Sequence, residues 1–152
     1  PAEGGALGRV GEVEGIDPEP LHVLSREGYL PVIATVGVGP DGESYNINAD
    51  LVAGDLAVAL GAEKLIMLTD VEGLRADPQD PKSLLAVVSA AEARRLIAGG
   101  AVEGGMIPKV EACVRAAEGG VARTHIIDGR VPHALLLEVF TDEGIGTMVQ
   151  AG

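Results

Sequence analysis

The stretch EKLIMLTDVEGL, residues 63–74, decides the fold class. Its apolar run at residues 65–68 changes after Thr69 to acidic residues and a glycine. Short apolar runs bounded by turn residues are typical of strands buried in a parallel sheet, where ligands bind at the carboxyl ends of the strands. We therefore expect Asp70 and Gly73 to lie at the carboxyl end of a parallel strand and to face a ligand-binding cleft.

Strand and helix patterns alternate along the rest of the chain, which predicts an α/β fold: a three-layer α/β/α sandwich with a mostly parallel sheet. The apolar run LPVIATVGV, residues 30–38, predicts a second buried strand, and the turn GPDGES that follows favours a hairpin returning through YNIN. The other predicted elements are a short strand at 9–16, helices at 17–28, 49–62, 89–100, 108–120 and 133–140, a strand at 122–129 and a final strand within 141–150.

Three helices carry specific start signals. Asp17 and Pro18 fit the N-cap and the first helical position, Ser89 with Glu92 forms a capping box, and Pro108 is expected at the first position of its helix. The helix that begins at Pro108 has a predicted core-facing stripe of Val110, Cys113, Val114 and Ala117.

The composition narrows the class of partner. With 23 acidic residues against 11 basic ones, the formal net charge is −12, which argues against nucleic acid or an anionic membrane as a partner. The apolar runs are too short to span a bilayer, and the single cysteine excludes an internal disulfide. These features predict a cytoplasmic protein, with residues 1–9 as a flexible start and residues 10–152 as one domain.

Polar clusters follow the predicted strands and are candidates for chemistry. NINAD, residues 46–50, sets Asn46 and Asn48 on one side of an extended segment, with Asp50 two residues further on. Buried amides are costly unless a ligand or water binds them. Asp50, judged by itself, is better explained as an N-cap. The other clusters are TDVEG after residue 68 and DGR at residues 128–130.

Lys109 lies in the first turn of its predicted helix, where the helix dipole disfavours a cation. The preceding GGMIP offers backbone N–H groups without bulky side chains until Met106, an arrangement that can hold an anion. A solvated surface lysine is the competing interpretation. The three histidines are scattered along the chain, and no spacing typical of metal ligands or of a Ser-His-Asp triad is present.

Taken together, the motifs YNINAD, ALGAEKLIMLTDVEGL, GGMIPKVEAC, HIIDGR and LLLEVFTDEGIGT resemble the N-acetylglutamate kinases of the amino acid kinase family, from about Val10 to Val149. The resemblance implies the second half of the amino acid kinase fold. The lysine, glycine pair and arginine of the family's amino-terminal half find no match in this chain, which begins at Pro1 without a Met. We therefore expect a carboxy-terminal, nucleotide-binding half with little kinase activity by itself.

The resemblance also implies roles for individual residues. Lys109 would stabilise the transferring phosphoryl group and Asp50 would organise the catalytic lysines, while Asn46 and Asn48 would bind N-acetyl-L-glutamate. The reaction would be phosphoryl transfer from MgATP to the side-chain carboxylate, with ATP and its Mg²⁺ as cofactors and no metal bound directly by the chain. The implied ATP-binding residues are Asp70, Val71, Glu72, Gly73, Leu74, Arg75, Ala101, Val102 and Glu103.

Two alternatives stay open. The first is a module that binds nucleotide or arginine without turnover, and the second is another kinase of the family, acting on aspartate or UMP. The last third of the chain resembles family members that arginine inhibits, which implies an effector site at His125, Glu138 and Gly144. The resemblance also implies a homo-oligomer.

Overall fold

The computed structural model describes residues 9–141 and 144–152. Of the start predicted to be flexible, residues 1–8 lie outside the described residues, whereas Arg9 forms an ion pair of 3.0 Å with Glu43. The described helices are α1 (Glu19–Arg26), α2 (Ala49–Ala59), α3 (Ala90–Ala98), α4 (Met106–Glu118) and α5 (Ala134–Phe140), and the strands are β1 (Val36–Val38), β2 (Ser44–Asn46), β3 (Lys64–Thr69), β4 (Val87–Ser89), β5 (Arg123–Asp128) and β6 (Gly146–Gln150). Within these residues, no helix is both long and apolar enough to cross a membrane.

The main sheet has the order β3-β5-β6-β4. Strands β3 and β5 are parallel, with Thr69 beside Asp128, so their carboxyl ends meet at one edge of the sheet. Strand β6 is antiparallel to β5 and parallel to β4. The α/β class and the mostly parallel sheet are therefore confirmed, with one antiparallel neighbour inside this sheet.

Helices cover both faces of the sheet, as β5 demonstrates. Successive side chains of a strand point to opposite faces. On one face the Thr124 hydroxyl donates to the Val149 carbonyl and contacts the Cys113 carbonyl of α4, at 2.8 and 3.3 Å. On the other face His125 pairs with Glu138 of α5. The three-layer arrangement follows from these contacts.

The core lies between the sheet and α4. The predicted stripe on α4 is confirmed, since all four of its residues are buried. Cys113 is completely buried, and burial raises the pKa of its thiol to about 12, which fits a structural cysteine. Helix α2 approaches α4 closely at Gly54, where an added Cβ would lie 2.9 Å from the Ala112 carbonyl oxygen.

The prediction of a buried strand at residues 30–38 is wrong in length and in burial. Only Val36–Val38 is extended and paired, in the antiparallel hairpin with β2 that the turn predicted. Leu30 and Val32 are 89% and 94% exposed, and the hairpin that follows them is a two-stranded sheet separate from the main one. The short strand predicted at 9–16 is reduced to one bridge, between Val10 and Asn46.

Two predicted helix starts are shifted. Helix α4 begins at Met106, with Gly105 as its N-cap, so Pro108 is the third residue of the helix. A proline is tolerated there because the first four N–H groups of a helix have no intrahelical acceptor. The N-cap of α1 is Pro18, although the Asp17 carboxylate still accepts from the Glu19 N–H at 3.1 Å. The Ser89 cap is confirmed by its bond from the Glu92 N–H, at 3.1 Å.

Candidate functional site

A cavity of about 290 Å³ opens at the carboxyl end of β3. Asp70 and Gly73 lie on its wall, so their predicted position is confirmed. The segment after α3 forms another part of the wall, and all nine residues expected at an ATP site line the same cavity: Asp70, Val71, Glu72, Gly73, Leu74, Arg75, Ala101, Val102 and Glu103. Three further residues line the cavity, Pro78, Met106 and Arg130. None of them was expected at the ATP site, although Arg130 belongs to the DGR cluster at residues 128–130.

One wall of the cavity depends on a close approach between Gly73 and β6. The Thr147 hydroxyl accepts from the Leu74 N–H at 2.8 Å and donates to the Leu85 carbonyl at 2.7 Å. A Cβ on Gly73 would lie 2.5 Å from that hydroxyl oxygen. Glycine is therefore required at position 73, and Thr147 fixes the backbone beside it. No pattern in the sequence indicated the role of Thr147.

Both arginines of the cavity lining are held by carboxylates. Arg75 is bound to Glu72 across 3.2 Å, which leaves Asp70 and Glu103 as further carboxylates on the wall. Arg130 projects from the end of β5 and is held by Asp128, at 2.8 and 2.9 Å. The Arg130 guanidinium lowers the pKa of the Asp128 carboxyl to about 2, so that carboxyl is ionised at neutral pH.

The second cluster joins the first turns of α2 and α4. The Lys109 ammonium donates to both carboxylate oxygens of Asp50, at 2.9 and 3.1 Å. Both side chains are mostly shielded, at 22% and 20% exposure. Lys109 therefore points at Asp50 and not into bulk solvent. The two residues are far apart in the sequence, and their contact depends on the close packing of α2 against α4.

Asn48, and not Asp50, caps α2. Its side-chain oxygen accepts from the N–H groups of Asp50 and Leu51, at 2.9 and 3.4 Å. The explanation of Asp50 as a cap is therefore wrong, and Asp50 is left free to bind Lys109. Asn46 ends β2, its backbone is bonded to Arg9 and Gly11, and the residue is exposed. Binding of a substrate by Asn46 and Asn48 stays a prediction.

The first turn of α4 connects the cavity with the lysine pair. Met106 lines the cavity, and Lys109 follows one turn later on the same helix. The Thr69 hydroxyl, at the end of β3, contacts the Met106 sulfur at 3.7 Å. A ligand that extends out of the cavity along this turn would approach the ammonium group of Lys109.

A third cluster lies on the α5 side of the sheet. His125 Nδ1 and a carboxylate oxygen of Glu138 are 2.7 Å apart, and both side chains are buried. Burial lowers the pKa of His125 despite the opposing effect of the Glu138 charge. Within the described part of the chain, His125 Nε2 has no hydrogen-bond partner. Gly144 is exposed, and the next residue, Ile145, directs its N–H at Glu138 across 3.4 Å.

Comparison with known proteins defines the class. A model of the amino acid kinase family matches residues 1–128, and the chain belongs to that family. It is 61% identical to the acetylglutamate kinase of Moorella thermoacetica over 96% of its own length and 49% of that enzyme. It is 63% identical to the acetylglutamate kinase of Symbiobacterium thermophilum over 94% of its length and 49% of that enzyme.

A solved structure shares the architecture. The N-acetylglutamate synthase from Neisseria gonorrhoeae, complexed with coenzyme A and L-arginine, aligns with a TM-score of 0.82 and 30% identity, over 94% of this chain and 32% of the synthase. The family resemblance of the sequence is thus confirmed. The chain spans about half the length of the curated relatives it matches.

Proposed function

We propose that the chain is the nucleotide-binding half of an acetylglutamate kinase, which transfers a phosphoryl group from MgATP to the side-chain carboxylate of N-acetyl-L-glutamate in arginine biosynthesis. The observation that carries this proposal is the cavity at the end of β3, where residues 70–75 and 101–103 meet. Similarity to acetylglutamate kinases selects the acceptor among the substrates of the family.

The Lys109–Asp50 pair supports the catalytic part of the proposal. Phosphoryl transfer depends mainly on positioning and on neutralising the charge of the transferred group. Lys109 is a compact positive charge one helical turn away from the cavity, and Asp50 fixes the ammonium in place through two hydrogen bonds. Mg²⁺ enters the proposal with the phosphates of ATP, because this cation prefers phosphate and water oxygens.

The acceptor side of the proposal rests on Asn46 and Asn48. The oxygen of Asn48 is already occupied as the cap of α2, so only its NH₂ group is available to a substrate. Two amide donors would suit the carboxylates of N-acetylglutamate. Substitution of Asn48 by Asp would keep the cap but remove the donors, and should therefore raise the KM for N-acetylglutamate without unfolding α2.

A chimera tests the proposal directly. This chain replaces the matching half of the acetylglutamate kinase of Moorella thermoacetica, and turnover is measured with N-acetylglutamate, aspartate and UMP. We expect activity with N-acetylglutamate alone. A folded chimera that prefers aspartate or UMP would contradict the proposed acceptor. Nucleotide titration of the unfused 152-residue chain separately tests whether ATP is bound.

Arginine binding is a second candidate, favoured by the buried His125–Glu138 pair. Among the described residues the buried Nε2 of His125 has no hydrogen-bond partner, and the Glu138 carboxylate lies 2.7 Å from Nδ1 of the same ring. The Neisseria gonorrhoeae synthase, which shares the architecture, was solved with L-arginine. Calorimetry with arginine on the unaltered chain, Glu138→Gln and the exposed control Glu92→Gln tests it. Loss of arginine binding in Glu138→Gln alone supports the site, and absence of binding in the unaltered chain refutes it.

A cytoplasmic location and a homo-oligomeric state complete the proposal. Both are supported by the similarity to biosynthetic kinases. Light scattering coupled to size exclusion, applied to the chimera and to the isolated chain, tests the assembly. A monomeric chimera would contradict the proposed homo-oligomer.

A further inference from the structure

We infer that Arg130 binds the phosphates of a nucleotide in the cavity at the end of β3. Asp128 is the positioning residue that orients the Arg130 guanidinium for this contact. The inference rests on the proposed nucleotide binding and extends it to a part of the chain outside residues 70–75 and 101–103. It concerns the phosphate-bearing end of the ligand and not the nucleoside.

The guanidinium of Arg130 has a fixed orientation. Its Nε donates to one oxygen of Asp128 at 2.9 Å and one of its terminal nitrogens donates to the other oxygen at 2.8 Å. The Arg130 backbone N–H binds the same carboxylate at 2.9 Å. A planar guanidinium bound in this two-point manner loses little further freedom when it binds a ligand.

The pair presents its positive end to the cavity. The Asp128 side chain is 9% exposed, whereas that of Arg130 is 67% exposed. Arg130 belongs to the cavity lining and Asp128 does not. An arginine has five N–H groups, and the clamp uses two of them. Within the described residues, the other three have no acceptor, so they are available to an anionic oxygen.

The rest of the lining repels phosphate. Its other charged residues are the carboxylates of Asp70, Glu72 and Glu103 and the guanidinium of Arg75, which is already bound to Glu72. The pKa of Arg130 is raised chiefly by its hydrogen bonds to Asp128, and the negative charges of Asp70 and Glu72 act in the same direction. Without Arg130, a polyanion would meet a wall with an excess of negative charge. Arg130 offsets this repulsion, because its partner Asp128 lies outside the lining, whereas Glu72, the partner of Arg75, belongs to it.

Ligands that differ only in phosphate provide the test. The affinities for ATP, ADP and adenosine are measured by calorimetry on the 152-residue chain and on Arg130→Gln, Arg130→Lys and Asp128→Asn. Arg123→Gln is the matched control, because it removes the same charge from the other end of β5, about 17 Å from Asp128 along the strand. Circular dichroism establishes that each variant is folded.

We expect Arg130→Gln to weaken ATP and ADP about tenfold or more, as for the loss of a charge-assisted hydrogen bond, and to leave adenosine within about twofold. Arg130→Lys and Asp128→Asn should lie between the unaltered chain and Arg130→Gln, and Arg123→Gln should change nothing. The ADP affinity of the unaltered chain should also fall with added salt more steeply than that of Arg130→Gln.

Several outcomes would overturn the inference. If Arg130→Gln lost affinity for adenosine and for ADP equally, Arg130 would have a structural role only. If it bound ADP as tightly as the unaltered chain does, Arg130 would not belong to the site. Normal ADP binding by Asp128→Asn would refute the positioning role. Failure of the unaltered chain to bind any of the three ligands would contradict the proposed nucleotide site itself, a result distinct from the other three.

Discussion

Residues 9–48 and the described residues from position 49 onward are both rich in apolar side chains, yet buried residues occur in the second region alone. No described residue before position 49 is buried, whereas the buried apolar residues begin at Ala57 and continue into β6. In the second region α4 covers the sheet. In the first, apolar side chains surround an open groove of about 670 Å³ against α2. Apolar sequence thus indicates which residues favour burial, while burial itself requires a second layer in the right place.

The sharpest test of this contrast compares one apolar truncation in each region. Ile126 is 0% exposed and Val32 is 94% exposed. We expect Ile126→Ala to reduce the free energy of unfolding by about 2–5 kcal/mol, because it removes core contacts and leaves a cavity. Val32→Ala should change it by less than about 0.5 kcal/mol. Urea unfolding measures both values, and similar losses would show that residues 9–48 are covered in solution.

A second test concerns the two lysines Lys109 and Lys82, one from a cluster and one from the surface. In the chimera, Lys109→Ala should lower kcat about 10²–10³-fold, as for the loss of one preorganised donor to a transition state. The KM for N-acetylglutamate should change little. Lys109→Arg should restore activity only in part, because a planar guanidinium differs in shape from an ammonium. The exposed Lys82→Ala is the control, and an equal kcat for both alanine variants would mean that Lys109 has no part in catalysis.

The isolated 152-residue chain is expected to turn over far more slowly than the chimera. The basis is the lack of a match in this sequence to the family's amino-terminal lysine and glycine pair, which are further donors to phosphate. ADP release in the presence of MgATP and N-acetylglutamate measures the rate. Turnover by the isolated chain at about 1–100 per second, the usual range for kinases, would contradict the expectation.

Glycines extend the comparison to backbone packing. A Cβ at Gly73 would collide with Thr147, whereas a Cβ at Gly15 has no atom within 4 Å. Gly73→Ala should therefore cost about 1–3 kcal/mol of unfolding free energy through overpacking, and Gly15→Ala should be nearly neutral. Chemical unfolding measures the difference. Equal stability of the two variants would mean that the Gly73–Thr147 contact is looser in solution.

The smallest expected effect is a pH dependence centred on His125. Its pKa is lowered in the folded chain, chiefly by burial, so the unfolded chain binds the proton more readily. This histidine therefore leaves stability at its full value above the unfolded pKa of about 6.5 and reduces it as pH falls toward the lower folded pKa. Titration of the His125 ring by NMR, with His125→Gln for assignment, checks the direction. A midpoint above 6.5 would contradict it.

Much of the fold was predictable because its strongest signals are local. Hydrophobic patterns predicted β3, α2 and the buried stripe on α4. A local end signal predicted the Ser89 cap of α3. Strand β4 was missed because Val87–Ser89 is too short for a pattern and depends on its pairing with β6. The exposed run at residues 30–38 was misjudged because its sequence does not reveal what lies over it.

The residues of the candidate site also differ in how far the sequence predicted them. Residues 70–75 and 101–103 were predicted from the family resemblance, and the structure brings both segments to one cavity. Thr147 and Arg130 belong to the motifs LLLEVFTDEGIGT and HIIDGR, yet neither was predicted to line the cavity, because the contact that each residue makes there depends on the fold. Asp50 was taken as the cap of α2 from its residue type alone. In the structure the side chain of Asn48, two residues earlier, accepts the hydrogen bond that caps the helix.

The position of β6 has a consequence for how the molecule forms. This strand lies between β5 and β4, yet every other strand of the sheet precedes it in the sequence. Because β4 pairs with β6, it can join the sheet only after the ribosome has released residues 146–150. Such long-range pairing slows folding. The wall of the cavity also forms only at this stage, because Thr147 belongs to β6. A nascent chain could therefore pair β3 with β5 before the wall of the cavity is complete.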